Sequence, residues 1–157
     1  KIADTITGEE IVSKRTYTGQ TFKNSDGTFS NKIFPETKFF YDGTQFVDIE
    51  KLSSPAIEGK EISLDAYTSN IIDFGTYTLY AGVDAGISDA DNLVVIDANK
   101  KLMKKLEKPI LKDANNELSM GEYKVDLQNR TLKVSVKADA TWMANAKYPV
   151  VVSCKLA

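Results

Sequence analysis

Thr37-Lys38-Phe39-Phe40-Tyr41-Asp42-Gly43-Thr44-Gln45-Phe46-Val47-Asp48-Ile49 is the stretch that decides the fold class. Aromatic and β-branched residues flank Asp42-Gly43 on both sides. An Asp-Gly pair between two such runs is a strong hairpin signal, because glycine supplies the positive φ that a tight turn needs. Residues 37–41 and 44–49 are therefore expected to be paired antiparallel strands.

Reading upstream, residues 11–35 repeat the pattern. A strand alternating over residues 11–19 leads to the turn Asn24-Ser25-Asp26-Gly27, and a return strand follows. Downstream, residues 52–59 carry Ser53-Ser54-Pro55 and read as a connecting loop. In residues 61–67, Ile62, Leu64 and Ala66 share one face of a strand. Residues 71–83 are a strand bent or broken near Gly75. Residues 84–92 are polar and Gly-bearing, hence a loop, and Leu93-Val94-Val95-Ile96 is a short apolar strand. Residues 100–108 have helix-forming composition, but Leu102, Lys104 and Leu106 alternate and Pro109 follows, so a strand is preferred. A third hairpin pairs residues 122–127 with 132–136, residues 140–146 make one helical turn, and residues 148–155 close the domain. Ten to twelve strands with hardly any helix predict an all-β fold. The expected architecture is an antiparallel β-sandwich, jelly-roll-like or Ig-like, with at most one short helix. Residues 1–10 form an N-terminal arm and residues 11–157 a single sandwich domain.

A chain of 157 residues is long enough to bury about 70% of its unfolded surface without disulfides or metal. Its 20 basic and 22 acidic residues leave a net charge of −2, which argues against nucleic acid as a partner and permits self-association. Histidine is absent, which removes the usual general base near neutral pH and the commonest transition-metal ligand. Cys154 is the single cysteine, read as a small buried residue of the last strand or as one half of an intermolecular bridge. No stretch approaches the roughly 20 apolar residues of a membrane helix. The opening Lys1-Ile2-Ala3-Asp4 has the form left when a signal peptide is removed, which leads us to expect an extracellular or cell-surface location.

Two blocks carry a resemblance. The first runs from Ser13-Lys14-Arg15-Thr16 through Thr21-Phe22 and Asp26-Gly27-Thr28-Phe29 to Tyr41-Asp42-Gly43 and Val47-Asp48-Ile49. The second comprises Leu106-Glu107-Lys108-Pro109, Lys112-Asp113-Ala114-Asn115, and Trp142-Met143-Ala144-Asn145-Ala146-Lys147-Tyr148-Pro149-Val150-Val151-Val152. Together they cover about half the chain and are similar to a β-rich extracellular domain. That domain occurs beside YD-type repeats in large secreted bacterial and archaeal surface and toxin-carrying proteins. Ser153-Cys154 departs from the Asp-Pro ending of that domain. The resemblance implies an extracellular, architectural role and brings no catalytic residues.

Among candidate sites, Asp84, Asp89 and Asp91, with Asn92 and then Asp97, gather hard oxygen ligands of the kind Ca²⁺ takes. The competing reading is a plain solvated loop, and no cofactor is required. Asp113, Asn115, Asn116 and Glu117 read as a turn. Trp142, Tyr67, Tyr77, Tyr80 and Tyr148 are the rings that could stack on a sugar, Trp142 being assigned to the core. Asn129-Arg130-Thr131 is an N-glycosylation pattern on an exposed turn. The arm, through Ile2, Ala3, Thr5 and Ile6, could add a strand to a neighbouring subunit. These features lead to an expected structural subunit without catalytic machinery, polymerising into a filament, tube or surface layer by strand addition. The alternative is a monomeric carbohydrate-binding or adhesion module.

Overall fold

The computed structural model describes residues 5–157. In chain order the strands are β1 (Glu9–Glu10), β2 (Gly19–Lys23), β3 (Phe29–Ile33), β4 (Phe39–Tyr41), β5 (Phe46–Asp48), β6 (Ser53–Ser54), β7 (Lys60–Leu64) and β8 (Ile71–Leu79). They continue as β9 (Asp84–Ile87), β10 (Leu93–Ile96), β11 (Leu102–Leu106), β12 (Ile110–Lys112), β13 (Leu118–Met120), β14 (Glu122–Gln128) and β15 (Thr131–Lys137). Helix α1 (Ala140–Asn145) and β16 (Val150–Cys154) complete the chain. The fold is mostly β with one short helix and antiparallel sheets throughout, as the turn chemistry predicts.

Two four-stranded sheets, ordered β13-β12-β16-β7 and β14-β15-β8-β6, form the sandwich. Alternation decides which side chains enter it. Leu111, Val150, Val152 and Cys154 come from one sheet; Leu132, Val134, Val136 and Tyr123 come from the other, and all join one buried core. Strand β8 changes phase midway. Ile72 and Phe74 are buried before Gly75, Tyr77 and Leu79 after it. The extra residue is a β-bulge opposite Val134 and Ser135, and Gly75 takes φ +145° there. Of the bend or break expected near Gly75, it is the bend that forms, within one continuous strand.

Smaller sheets flank the sandwich: β11-β10-β9, β1-β2-β3 and the hairpin β4-β5. Phe40 belongs to the common core, with Tyr17, Val47 and Ile49 packed against it. The segment from Tyr17 to Asp48 is therefore anchored into the sandwich by its hairpin, although the two large sheets themselves begin at Ser53.

Three local expectations fail for nameable reasons. Residues 11–19 are not one strand: Val12–Lys14 is a 3-10 turn closed by Lys14 N–H on Ile11 O and Arg15 N–H on Val12 O. Arg15 holds Glu10 through two 2.7 Å hydrogen bonds, donates to Phe46 O, and lies over the Phe39 ring. Tertiary contacts thus outweigh the alternating pattern. The connecting segment 52–59 is not peripheral, because Leu52 and Ile57 are fully buried and Ser53 Oγ bonds both Pro55 O and Ile57 N–H. In 84–92, Asp84–Ile87 is strand β9 paired with β10, so only residues 88–92 turn.

Gly121 alone separates β13 from β14, and there the chain leaves one sheet for the other. A Cβ at this position would lie 2.8 Å from Val136 Cγ1 and 3.2 Å from Leu111 Cδ1. Gly121→Ala is expected to cost about 1–3 kcal/mol by overpacking. A urea midpoint that drops at constant m-value checks it, and an unchanged midpoint contradicts the tight crossing.

Candidate functional site

The acidic candidates resolve into structural turns. Asp97 and Asp113 each begin an Asp-Ala-Asn sequence and are both buried. Asp97 Oδ1 accepts from the N–H groups of Asn99 and Lys101, both at 2.9 Å, and Oδ2 accepts from Tyr41 N–H at 3.0 Å. Asp113 repeats this: Oδ1 accepts from Asn115 and Glu117 N–H, and Oδ2 from Lys147 N–H at 3.1 Å. In return, Ala98 N–H bonds Tyr41 O and Ala114 N–H bonds Lys147 O. Each aspartate therefore closes its own turn and clamps a distant piece of main chain. Lys100 and Asn116 hold the left-handed positions at φ +63° and +64°.

Burial by itself would raise the Asp97 carboxyl, but the N–H groups of Tyr41, Lys101 and Asn99 and the Tyr17 hydroxyl outweigh it and hold it below the ordinary carboxylate range. Asp113 is lowered in the same way, burial opposing and the N–H groups of Lys147, Glu117 and Asn115 prevailing. Carboxylates so occupied serve the fold, leaving little capacity for a metal or a transferred proton.

The proposed Ca²⁺ ligands do not converge. Asp84 pairs across to Ile96 at one end of the β9–β10 hairpin, with Asp89 and Asp91 in the turn at the other. Four strand residues separate the ends by about 13 Å. Asp84 Oδ1 accepts from Ala85 N–H, and Asp91 Oδ2 pairs with Lys108 Nζ at 3.2 Å. Among the described residues no three acidic or cysteine side chains are grouped to hold a metal.

Of the arm, Ile2 and Ala3 lie outside the described residues. Thr5 O accepts from Ser30 Oγ, Thr7 N–H donates to Asn24 Oδ1, and β1 pairs with β2. Residues 5–10 thus run along their own chain, with Ile6 exposed. Asn129 sits on the exposed β14–β15 turn, where it and Arg130 take positive φ. Of the rings, Tyr77 is buried, Tyr67 and Tyr80 are exposed, and Trp142 and Tyr148 are partly buried against the core, where Met143 is the fully enclosed residue of α1. A depression of about 370 Å³ on the outer face of β8, β14 and β15 is lined by Asp73, Thr76, Lys124, Asp126 and Lys133 among others, with no aromatic ring. Cys154 is 1% exposed, and burial pushes its thiol up, so an intermolecular disulfide would require β16 to open.

Among the described residues, two sheet edges share one geometry. β3 and β13 each end a sheet. Asn24 N–H to Thr28 O and Phe34 N–H to Thr18 O fix the β2–β3 register, so Phe29, Asn31 and Ile33 turn their main-chain groups away from β2. Likewise Asp113 N–H to Glu117 O and Gly121 N–H to Pro109 O fix β12–β13, leaving the main-chain groups of Leu118 and Met120 outward. Four of these five residues, all but Asn31, carry exposed apolar side chains: Ile33 78%, Phe29 40%, Leu118 62% and Met120 50% exposed. A third edge, β9, also turns the main chain of Ala85 and Ile87 outward, but offers Ile87, 42% exposed, as its one large exposed apolar residue, beside Asp84. Four other edges are guarded. β11 is covered by residues 155–157 through Glu107 N–H to Lys155 O and Ala157 N–H to Lys105 O. β14 carries Glu122, Lys124 and Asp126, β7 carries Lys60 and Glu61, and β6 has two residues. The β3 run was readable as a strand; β13, three residues beyond a turn, offers too short an alternation to find.

No protein-family description, curated protein or solved structure matches the chain. Among the described residues no helix is long and apolar enough to cross a membrane.

Proposed function

We propose that this chain is a non-catalytic structural subunit of an extracellular assembly, polymerising by strand addition between neighbouring copies. The observation that carries the reading is the pair of edges β3 and β13, whose outward main chain belongs to exposed apolar residues. Proteins that remain monomeric commonly blunt such edges with charge, proline or a covering segment. Among the described residues no main-chain hydrogen bond reaches the outward groups of either edge, and the charges beside them, Lys32 on β3 and Glu117 before β13, leave Phe29, Ile33, Leu118 and Met120 exposed. A net charge of −2 offers little repulsion between copies. The resemblance to a surface-protein domain supports the extracellular setting.

Sedimentation velocity across a concentration series, with electron microscopy of the same samples, tests the proposal. Concentration-dependent polymers are expected. Burying one isoleucine contributes about 1.5–3 kcal/mol, so Ile33→Glu should raise the concentration needed for association by about tenfold or more. A protein that stays monomeric at every concentration overturns the reading.

A further inference from the structure

We infer that the edge β3 of one copy pairs with the edge β13 of the next, a head-to-tail contact between two different surfaces of the same chain. The inference rests on the strand-addition reading above and specifies which edges meet.

Charge favours the unlike pairing. Residues 11–35, which hold β2 and β3, contain Lys14, Arg15, Lys23 and Lys32 against the single carboxylate Asp26. Arg15 is engaged by Glu10, leaving three lysines around the edge, with Lys14 Nζ 5.5 Å from the centroid of the exposed Phe29 ring. Residues 113–122, which hold β13, contain Asp113, Glu117 and Glu122 and no cation. Asp113 is consumed by its turn, and Glu122 pairs with Lys124 at 3.4 Å across an exposed surface. Glu117, exposed, stands immediately before Leu118. One cation, Lys112, lies beside Leu118, one strand in from the edge. Two β3 edges brought together would oppose lysines, and two β13 edges would oppose glutamates; β3 against β13 opposes unlike charges.

The register agrees. In antiparallel pairing, residues with outward main-chain groups face each other directly and place their side chains on one face. Setting Ile33 opposite Leu118 sets Asn31 opposite Met120. Ile33 then covers Leu118, Met120 faces Asn31 with Ile33 and Phe29 on its diagonals, and Lys32, on the other face, sits diagonal to Glu117, within reach of a long side chain. Because the joined surfaces differ, the joined pair retains one free edge of each kind, and addition continues as an open filament rather than closing as a two-fold dimer.

Two blocked variants decide it. Asn31→Pro removes an outward N–H from β3, and Leu118→Pro removes one from β13, each at a position where an edge strand tolerates proline. Circular dichroism and a melting curve establish that each variant is folded. Should either proline fail to fold, Ile33→Glu and Leu118→Lys replace the pair, each giving its own edge the charge of the edge it would meet. Sedimentation then reads wild type, each variant alone, and an equal mixture. The expected result is a polymerising wild type, two variants monomeric when alone, and a mixture in which each variant supplies the edge the other lacks. The proline mixture stops at one-to-one heterodimers. The charge-altered mixture associates as heterodimers or longer alternating chains. If each variant alone forms dimers, like edges pair and the inference fails while the strand-addition reading stands. If a blocked variant polymerises as wild type does, the contact lies elsewhere and the inference fails. A monomeric wild type removes both.

Discussion

Phe40→Ala is expected to lower the unfolding free energy by about 3–5 kcal/mol, the range for truncating a fully enclosed phenylalanine. Phe40 is 0% exposed, yet it lies on β4, outside the two large sheets. It enters the core they enclose, and its ring is 6.3 Å from that of Tyr80. The substitution would open a cavity at the junction between the N-terminal hairpin and the sandwich. A single urea transition displaced to lower concentration is the expected outcome. A change below about 1 kcal/mol would mean that the hairpin contributes little to the common core.

The second large effect concerns Asp97. Asp97→Ala removes the acceptor for three N–H groups, those of Tyr41, Asn99 and Lys101. A buried donor left without a partner costs about 1–3 kcal/mol; Asn99 and Lys101 are exposed residues whose N–H groups water can reach, so a total near 3 kcal/mol is expected for the three. The pH dependence has a definite sign. The folded carboxyl lies below its ordinary value, so the charged clamp stabilises the fold above the unfolded carboxylate pKa of about 3.9. That contribution is lost as pH falls through the folded value. Asp97→Asn replaces the charged acceptor with a neutral one. Urea midpoints of wild type and Asp97→Asn should therefore lie apart at neutral pH and draw together in acid, and a gap constant down to about pH 3 would contradict the charged clamp. Asp113, built alike, shifts in the same direction.

These two residues mark where legibility in the sequence ends. The hairpin around Asp42-Gly43 could be read because turn chemistry and alternation are local: glycine or aspartate at the turn and aromatic residues beside it carry their meaning within a dozen residues. The bend at Gly75, the strand at Leu102–Leu106, the helical turn at Ala140–Asn145 and the buried Cys154 were legible for the same reason. Asp97 and Asp113 were visible only as acidic turn residues. Their clamping partners, Tyr41 and Lys147, are distant in sequence, and no local pattern announces a main-chain N–H supplied from there.

The all-β class and its main hairpins thus follow from the sequence by itself, through short-range sterics and the period of two along a strand. Tertiary structure alone decided the rest. It drew Asp84 into a strand away from Asp91, buried Leu52 and Ile57 in what composition reads as a loop, and placed Gly121 at the crossing between sheets. It also left β3 and β13 at the ends of their sheets. The physical reason is common to all of these: burial, hydrogen-bond partnership and edge position are properties of which strands meet in space, and an isolated run of residues does not contain its neighbours.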